Sequence, residues 1–268
     1  MRLHIVAVGV LFAILSSGCA QAGTVSEEES FGTLRQALVY VYTNCAYDVS
    51  VSNKNIAIPT PLDEKIVNQG GNGALIDMGP KDDNTYVVLT ASLLTNCLYH
   101  FSPEHGLRDG DEISVHLARR QILVVYNAMT YEAQLIDQHG EVSADESNYA
   151  LLQVKLPSDF HPMVLPMLPS RTSPKYREGS SVVVMGEIAK SEIDFVMFSQ
   201  QATIQEIHET SFSVSATSFD GVIGSPVLWW NGKKYQVIGF VEAGFRVNQQ
   251  LIPFTAVITM YKDMFFKK

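Results

Sequence analysis

The sequence predicts an all-β protein built as two β-barrels in tandem. Three observations carry the prediction. Short runs rich in Val, Ile, Leu, Tyr and Thr recur from residue 37 onward, as expected of strands. Clusters such as Gly70-Gly71-Asn72-Gly73 and Arg108-Asp109-Gly110-Asp111 punctuate them, and helical periodicity is nearly absent. A proline-dense stretch then divides the chain: five of the 11 prolines fall in Pro157–Pro174, which cannot be central strand because proline lacks the ladder N–H.

In chain order, Ala37–Tyr42, Tyr86–Thr90, Ile113–Tyr126, Tyr131–Asp137 and Tyr149–Val154 read as strands before the proline stretch. Ile113–Tyr126 is long enough for one bent strand or two short ones. Val182–Met185 and the apolar stretch Val227–Gly239 follow it, the latter interrupted by the Asn231-Gly232 turn. The division implies a first barrel over about 35–156, a connection over 157–178 and a second barrel over 179–268. Phe254–Phe266 loses strand alternation and shows a stripe at Val257, Tyr261 and Met264, which predicts one short C-terminal helix.

Residues 1–22 read as an export signal. Arg2 gives a positive start and Ile5–Leu15 an apolar run of 11 residues, too short to span a bilayer as an ordinary helix. Ser16-Ser17-Gly18-Cys19 resembles the lipobox of bacterial lipoproteins, in which the cysteine is lipidated after cleavage before it. Simple secretion with cleavage after Ala20-Gln21-Ala22, or a retained anchor, are the alternatives. Residues 23–34, with Glu27-Glu28-Glu29 in a row, read as a flexible acidic tether.

The 268 residues are 46% apolar, ample for a full core, and carry a formal charge of −9. No Lys/Arg run is present, which argues against nucleic acid as a partner. Membrane contact is expected through an N-terminal lipid alone. No spacing suggests a metal site or a cofactor; Asp109-Gly110-Asp111-Glu112 reads as a plain turn, too short a ligand set for calcium. His116 and His208 read as half-exposed strand residues. With Cys19 assigned to the signal, Cys45 and Cys97 remain, an even pair in an oxidising compartment. They are expected to form a disulfide; two buried thiols are the alternative.

Gly221–Pro226 reads G-V-I-G-S-P directly before an apolar strand. It resembles the G-x-S-G-G-P or G-x-S-G-S-P motif of the trypsin-like serine proteases. Further matches follow the family's order. Gly71-Asn72-Gly73-Ala74-Leu75-Ile76 resembles its G-x-G-x-L-I strand, and Val87-Val88-Leu89-Thr90-Ala91-Ser92 the stretch before its histidine. Asn148-Tyr149-Ala150-Leu151-Leu152 resembles D-x-A-L-L, Gly179–Gly186 the start of the second barrel, and Phe254-Thr255-Ala256-Val257 the lead into the terminal helix. The resemblance spans about Ala37 to the C-terminus. It implies two six-stranded antiparallel barrels packed together.

The resemblance also locates a lost reaction. The family's mechanism needs a serine nucleophile, a histidine base and an aspartate that orients it. The matching positions here are Ile223, Leu93 and Asn148. Leucine takes no proton, isoleucine has no lone pair, and asparagine lacks the charge that stabilises an imidazolium. Leu93 and Ile223 are expected to face each other, buried, and Asn148 to find backbone partners. The backbone of Gly221 and Ile223 matches the oxyanion hole. A relocated Ser218–His100–Asp145 set, or Ser225 as nucleophile, is the remaining route to catalysis.

The expectation is therefore a non-catalytic pseudo-protease exported to the cell envelope that binds an envelope protein or a peptide. The candidate wall of the old cleft is Val237, Gly239 and Val241, where an extended peptide would pair with a strand edge. One alternative is a structural or assembly lipoprotein that uses another face, with Trp229-Trp230 the candidate. Adjacent strand residues face opposite sides, so one Trp is expected in the core. The other alternative is a protease with a displaced catalytic set.

Overall fold

The structure, a computed structural model, describes residues 27–53, 60–61, 65–79, 84–97, 110–138, 148–172, 176–191, 194–216, 221–247 and 250–265. The export signal, Cys19 and the first part of the expected tether lie outside the described residues. From Glu27 the chain forms a helix, α1 (Glu27–Leu34). This corrects the flexible tether over residues 23–34. The acidic run misled because the helix is held by its apolar residues: Leu34 is fully buried, and Phe31 packs edge-on against Tyr235 of the second barrel.

The first barrel comprises β1 (Leu38–Asn53), β3 (Lys65–Ile76), β4 (Thr85–Ala91), β5 (Asp111–Tyr126), β6 (Met129–Gln138) and β7 (Tyr149–Lys155). The order β1-β3-β4-β7-β6-β5 is closed by β5 pairing back onto β1. A two-residue strand, β2 (Thr60–Pro61), adds to the far end of β1. The second barrel comprises β8 (Ser181–Ala189), β9 (Phe195–Ile207), β10 (Ser211–Val214), β11 (Pro226–Trp230), β12 (Tyr235–Val247) and β13 (Gln250–Thr259). It closes in the order β10-β13-β12-β11-β8-β9. All pairings between named strands are antiparallel. Gly70–Gly73, read above both as turn and as strand, lies inside β3.

Period-2 alternation explains why so many strands are apolar on both sides. Along β3, Leu75 faces the interior of the first barrel with Val39, Val41, Val88, Val124 and Leu152. Its neighbours Ala74 and Ile76 join Leu38, Leu89, Met185, Leu228 and Phe240 in a core shared by both barrels. Val184, Ile204, Phe212, Val227 and Ile238 fill the second barrel.

The proline-dense connection does not loop away. Leu165, Met167 and Leu168 are buried and make isolated parallel bridges to Ile76, Val237 and Tyr261. The Leu165 N–H donates to Leu75 O (2.8 Å) and the Val237 N–H to Pro166 O (2.9 Å), so this segment stitches the barrels together.

The C-terminal helix expected over Phe254–Phe266 is instead strand to Thr259, followed by a single 3-10 turn at Lys262–Met264. Val257 lies in the second-barrel core, while Ile258 and Met260 lie in the shared core. Burial on both faces erased the alternation that would have marked a strand.

Cys45 and Cys97 form a disulfide across 52 residues, with Cα atoms 5.6 Å apart, which settles the choice between disulfide and free thiols.

Candidate functional site

The three positions that the sequence resemblance matches to a triad lie where the two barrels meet. Strand β4 pairs with β7 so that Ala91 lies opposite Tyr149, and the Ser92 N–H donates to Asn148 O (2.8 Å). Leu93 and Asn148 therefore sit at adjoining strand ends. Ile223 arrives from the second barrel. Its carbonyl accepts from the Asn72 N–H (2.8 Å) on β3, and a Cβ built on Gly71 would lie 2.7 Å from that carbonyl and 2.6 Å from Leu94 Cδ1.

Leu93 is not the buried partner of Ile223. It is 39% exposed, and its neighbour Leu94 is the one buried. Ser92–Leu94 is a 3-10 turn, in which successive side chains point about 120° apart. Only one of two adjacent leucines can face inward. Ile223 is half-buried against the shared core. Asn148 finds a side chain rather than the backbone: its amide NH2 donates to Glu242 Oε1, while its buried Oδ1 has no hydrogen-bond partner. Glu242 was not anticipated; only the meeting of β12 with the start of β7 brings it to this position.

The turn that carries Ile223 is set by glycine. The Ser225 N–H donates to Val222 O (3.1 Å), closing a turn with Gly224 third at φ +81°. That is the position where a type II turn favours glycine. Space imposes the same choice, since a Cβ on Gly224 would lie 1.9 Å from Asn72 O.

Asn72, fully buried, ties this turn to the first barrel. Its Nδ2 donates to Gly221 O (2.5 Å), its Oδ1 accepts from the Glu187 N–H (2.5 Å) and its carbonyl accepts from Thr90 Oγ1 (2.6 Å). Both Gly221 and Ile223, the oxyanion-hole matches, thus have their carbonyls anchored on Asn72. The sequence motif contained Asn72 but gave no signal of this role. Glu187 beside it is pushed above the ordinary carboxylate range by burial.

The candidate wall at Val237, Gly239 and Val241 is corrected. Gly239 pairs with Val227 on one side and Thr259 on the other. The Val241 N–H donates to Ser225 O (2.9 Å) and Val241 O accepts from the Gly224 N–H (2.8 Å). Val237 and Val241 are fully buried. These residues lie inside a closed sheet, with no edge for a peptide. From Glu242 onward, β12 pairs with β13 alone among the described residues, at Ala243, Gly244, Arg246 and Val247. Among the described residues, the open edge near the site begins there.

Ser225 is fully buried and its hydroxyl has no partner. Ser218, His100 and Asp145 lie outside the described residues. His116 is exposed on β5, and exposed His208 follows β9 with Nε2 3.7 Å from Glu206 Oε1. Trp229 and Trp230 are both half-buried: Trp229 packs against Tyr176 in the second-barrel core, and Trp230 meets Tyr235 at a tilt with ring centroids 5.1 Å apart. The expected division into one core and one exposed Trp does not hold.

Two closed antiparallel barrels, with the candidate site at the seam between them, define the trypsin-like fold. The chain is similar to a solved structure described as "HtrA-type protease AlgW with decapeptide", with a TM-score of 0.50, 14% identity and 88% of this chain covered. It spans 64% of that chain's length, and at that identity the likeness speaks for the fold. No family model matches the sequence, and no curated protein matches it.

Proposed function

We propose that this chain is a non-catalytic member of the trypsin-like fold, exported to the cell envelope, that binds a protein partner in extended conformation. One resemblance carries the reading: the sequence motifs put Leu93, Asn148 and Ile223 where the family's mechanism requires its triad, and their position at one seam supports it. Loss of a central triad residue costs on the order of 10⁶ in kcat, and here all three are replaced. Ser225, the nearest hydroxyl on the turn, is sealed. The edge of β12 from Glu242 to Val247 supports binding, because among the described residues it is paired on one side only, and such a strand offers its N–H and C=O groups to an extended chain. AlgW, the protease of similar fold, was solved with a decapeptide. Export rests on the Ile5–Leu15 run, Cys19 and the Cys45–Cys97 disulfide, with Cys19 the residue that would carry lipid.

Two measurements test the reading. A fluorophosphonate incubated with the purified protein is expected to leave no adduct; a stoichiometric adduct at Ser218 or Ser225 overturns the non-catalytic assignment. A photo-crosslinking residue at Ile223, used in intact cells, is expected to capture one specific partner. A folded, correctly localised protein that captures nothing there rules out the seam as the binding surface.

A further inference from the structure

On the outer face of the first barrel lies a groove of about 520 Å³, away from the triad-matching positions. Strand alternation builds it. Tyr40, Tyr42 and Asn44 fall on one face of β1 at spacing two, and their cross-strand partners share that face. The register sets Gly70 and Leu123 beside Tyr42, Asn68 and Gln121 beside Asn44, and Ile66 and Arg119 beside Ala46. The β8–β9 hairpin closes one end by placing Phe195 over Tyr40, with ring centroids 5.1 Å apart.

The groove is chemically graded along the strand. Its closed end is aromatic, from Tyr40, Tyr42 and Phe195. Its middle carries two carboxamides, Asn44 and Asn68. Its open end carries Arg119, and among the described residues no carboxylate lines it. Arg119 is exposed and, among the described residues, makes no ion pair or side-chain hydrogen bond; Asn44 and Asn68 make no side-chain hydrogen bond among them either. The nearest acid on that face of β1, Asp48, lies beyond a bulge, opposite His116. Among the described residues, an unpaired guanidinium thus lies beside unpaired amides and aromatic rings in a chain of charge −9.

We propose that this groove binds an extended peptide carrying an acidic side chain at Arg119 and an aromatic side chain four residues away against Tyr42 and Phe195. The spacing follows from the strand: four residues at about 3.3 Å each separate Tyr42 from Ala46, the residue opposite Arg119, and an extended peptide has the same rise. Guanidinium and carboxylate form a charge-assisted pair. Asn44 and Asn68 match the donors and acceptors of a peptide backbone, which a fatty carboxylate lacks. Because β1 and β5 continue past Arg119, the described residues put no wall there to stop a chain end, and the occupant is taken as an internal segment. The groove and the seam at Ile223 are separate surfaces, and their tests are independent.

The test is an NMR titration of the ¹⁵N-labelled protein with the peptide acetyl-Glu-Ala-Thr-Ala-Phe-amide, whose only carboxylate is the Glu side chain. The amides of Tyr42, Asn44, Asn68 and Leu123 are expected to shift together. Replacing the peptide Glu by Gln, or Arg119→Gln in the protein, is expected to weaken binding about tenfold or more, as loss of a charged hydrogen bond does. Because Arg119 is exposed, its variant should keep the remaining spectrum; if it does not fold, the Gln peptide alone decides. Absence of shifts at millimolar peptide, or indifference to the loss of either charge, overturns the proposal. So does equal or tighter binding by decanoate or by acetyl-Phe-Ala-Thr-Ala with a free C-terminus, which would assign the groove to a fatty acid or a chain end.

Discussion

Asn72 shows how much one side chain can decide. Replacing it with Ala strands the Glu187 N–H and the Gly221 carbonyl, each costing about 1–3 kcal/mol when buried without a partner. Urea denaturation of Asn72→Ala should therefore show a marked fall in midpoint; a shift within error would mean that water replaces the amide at no cost. Ser225 predicts the opposite sign. Its hydroxyl is buried and unpartnered, so Ser225→Ala should leave the melting temperature unchanged or raised. Glu187 makes a pH prediction. Its carboxyl is raised above the ordinary 4.5 by burial. Between that value and the raised one, the folded protein holds a proton that the unfolded chain has released, so stability falls as pH rises through the window. In Glu187→Gln this contribution is absent, and the thermal stability profile from acid to neutral pH should flatten; an unchanged slope would assign the fall to other groups.

At the scale of elements, α1 and the disulfide matter most. Leu34 is fully buried in the core shared by both barrels, so Leu34→Ala should cost about 2–5 kcal/mol by denaturant titration. A tether would lose nothing. Reduction of Cys45–Cys97 reopens a 52-residue loop, and the loop-entropy estimate for that length is about 4 kcal/mol. A reductant-insensitive urea midpoint would contradict it. Element positions were legible wherever a run was apolar and bounded by turn residues, as at Thr85–Ala91 and Tyr149–Lys155. They were illegible where another interaction prevailed. β13 hid because both its faces are buried. α1 hid because an acidic run masked Phe31 and Leu34. The Gly70–Gly73 cluster looked like a turn, although Gly70 lies against Tyr40 and Gly71 against Leu94 in a strand where bulkier residues would collide.

For the whole molecule, the shared core makes the two barrels one cooperative unit. Leu38, Ala74, Ile76 and Leu89 of the first barrel pack with Val183, Met185, Leu228 and Phe240 of the second. Both tryptophans, Trp229 and Trp230, belong to the second barrel, whereas far-UV circular dichroism reports on both. The two signals should trace one coincident urea transition; separated midpoints would mean that the barrels unfold independently.

By itself the sequence determined that the chain is all-β and divides at Pro157–Pro174, and its short motifs resemble those of a serine protease, with Leu93, Asn148 and Ile223 where the resemblance expects the triad. Those properties are local: strand alternation, proline chemistry and residue identity within short motifs. Only the tertiary structure decided that Leu94 rather than Leu93 turns inward, that Asn148 meets Glu242, that Val237–Val241 is sealed and the edge opens at Glu242, and that Arg119 shares a face with Tyr42 and Asn44. The first follows from the 3-10 turn Ser92–Leu94 that ends β4; the others depend on register between strands distant in the chain. Because alternate residues point to opposite faces, a register shift of one residue exchanges inside and outside. Composition and motif do not encode that shift; closure of the two barrels does.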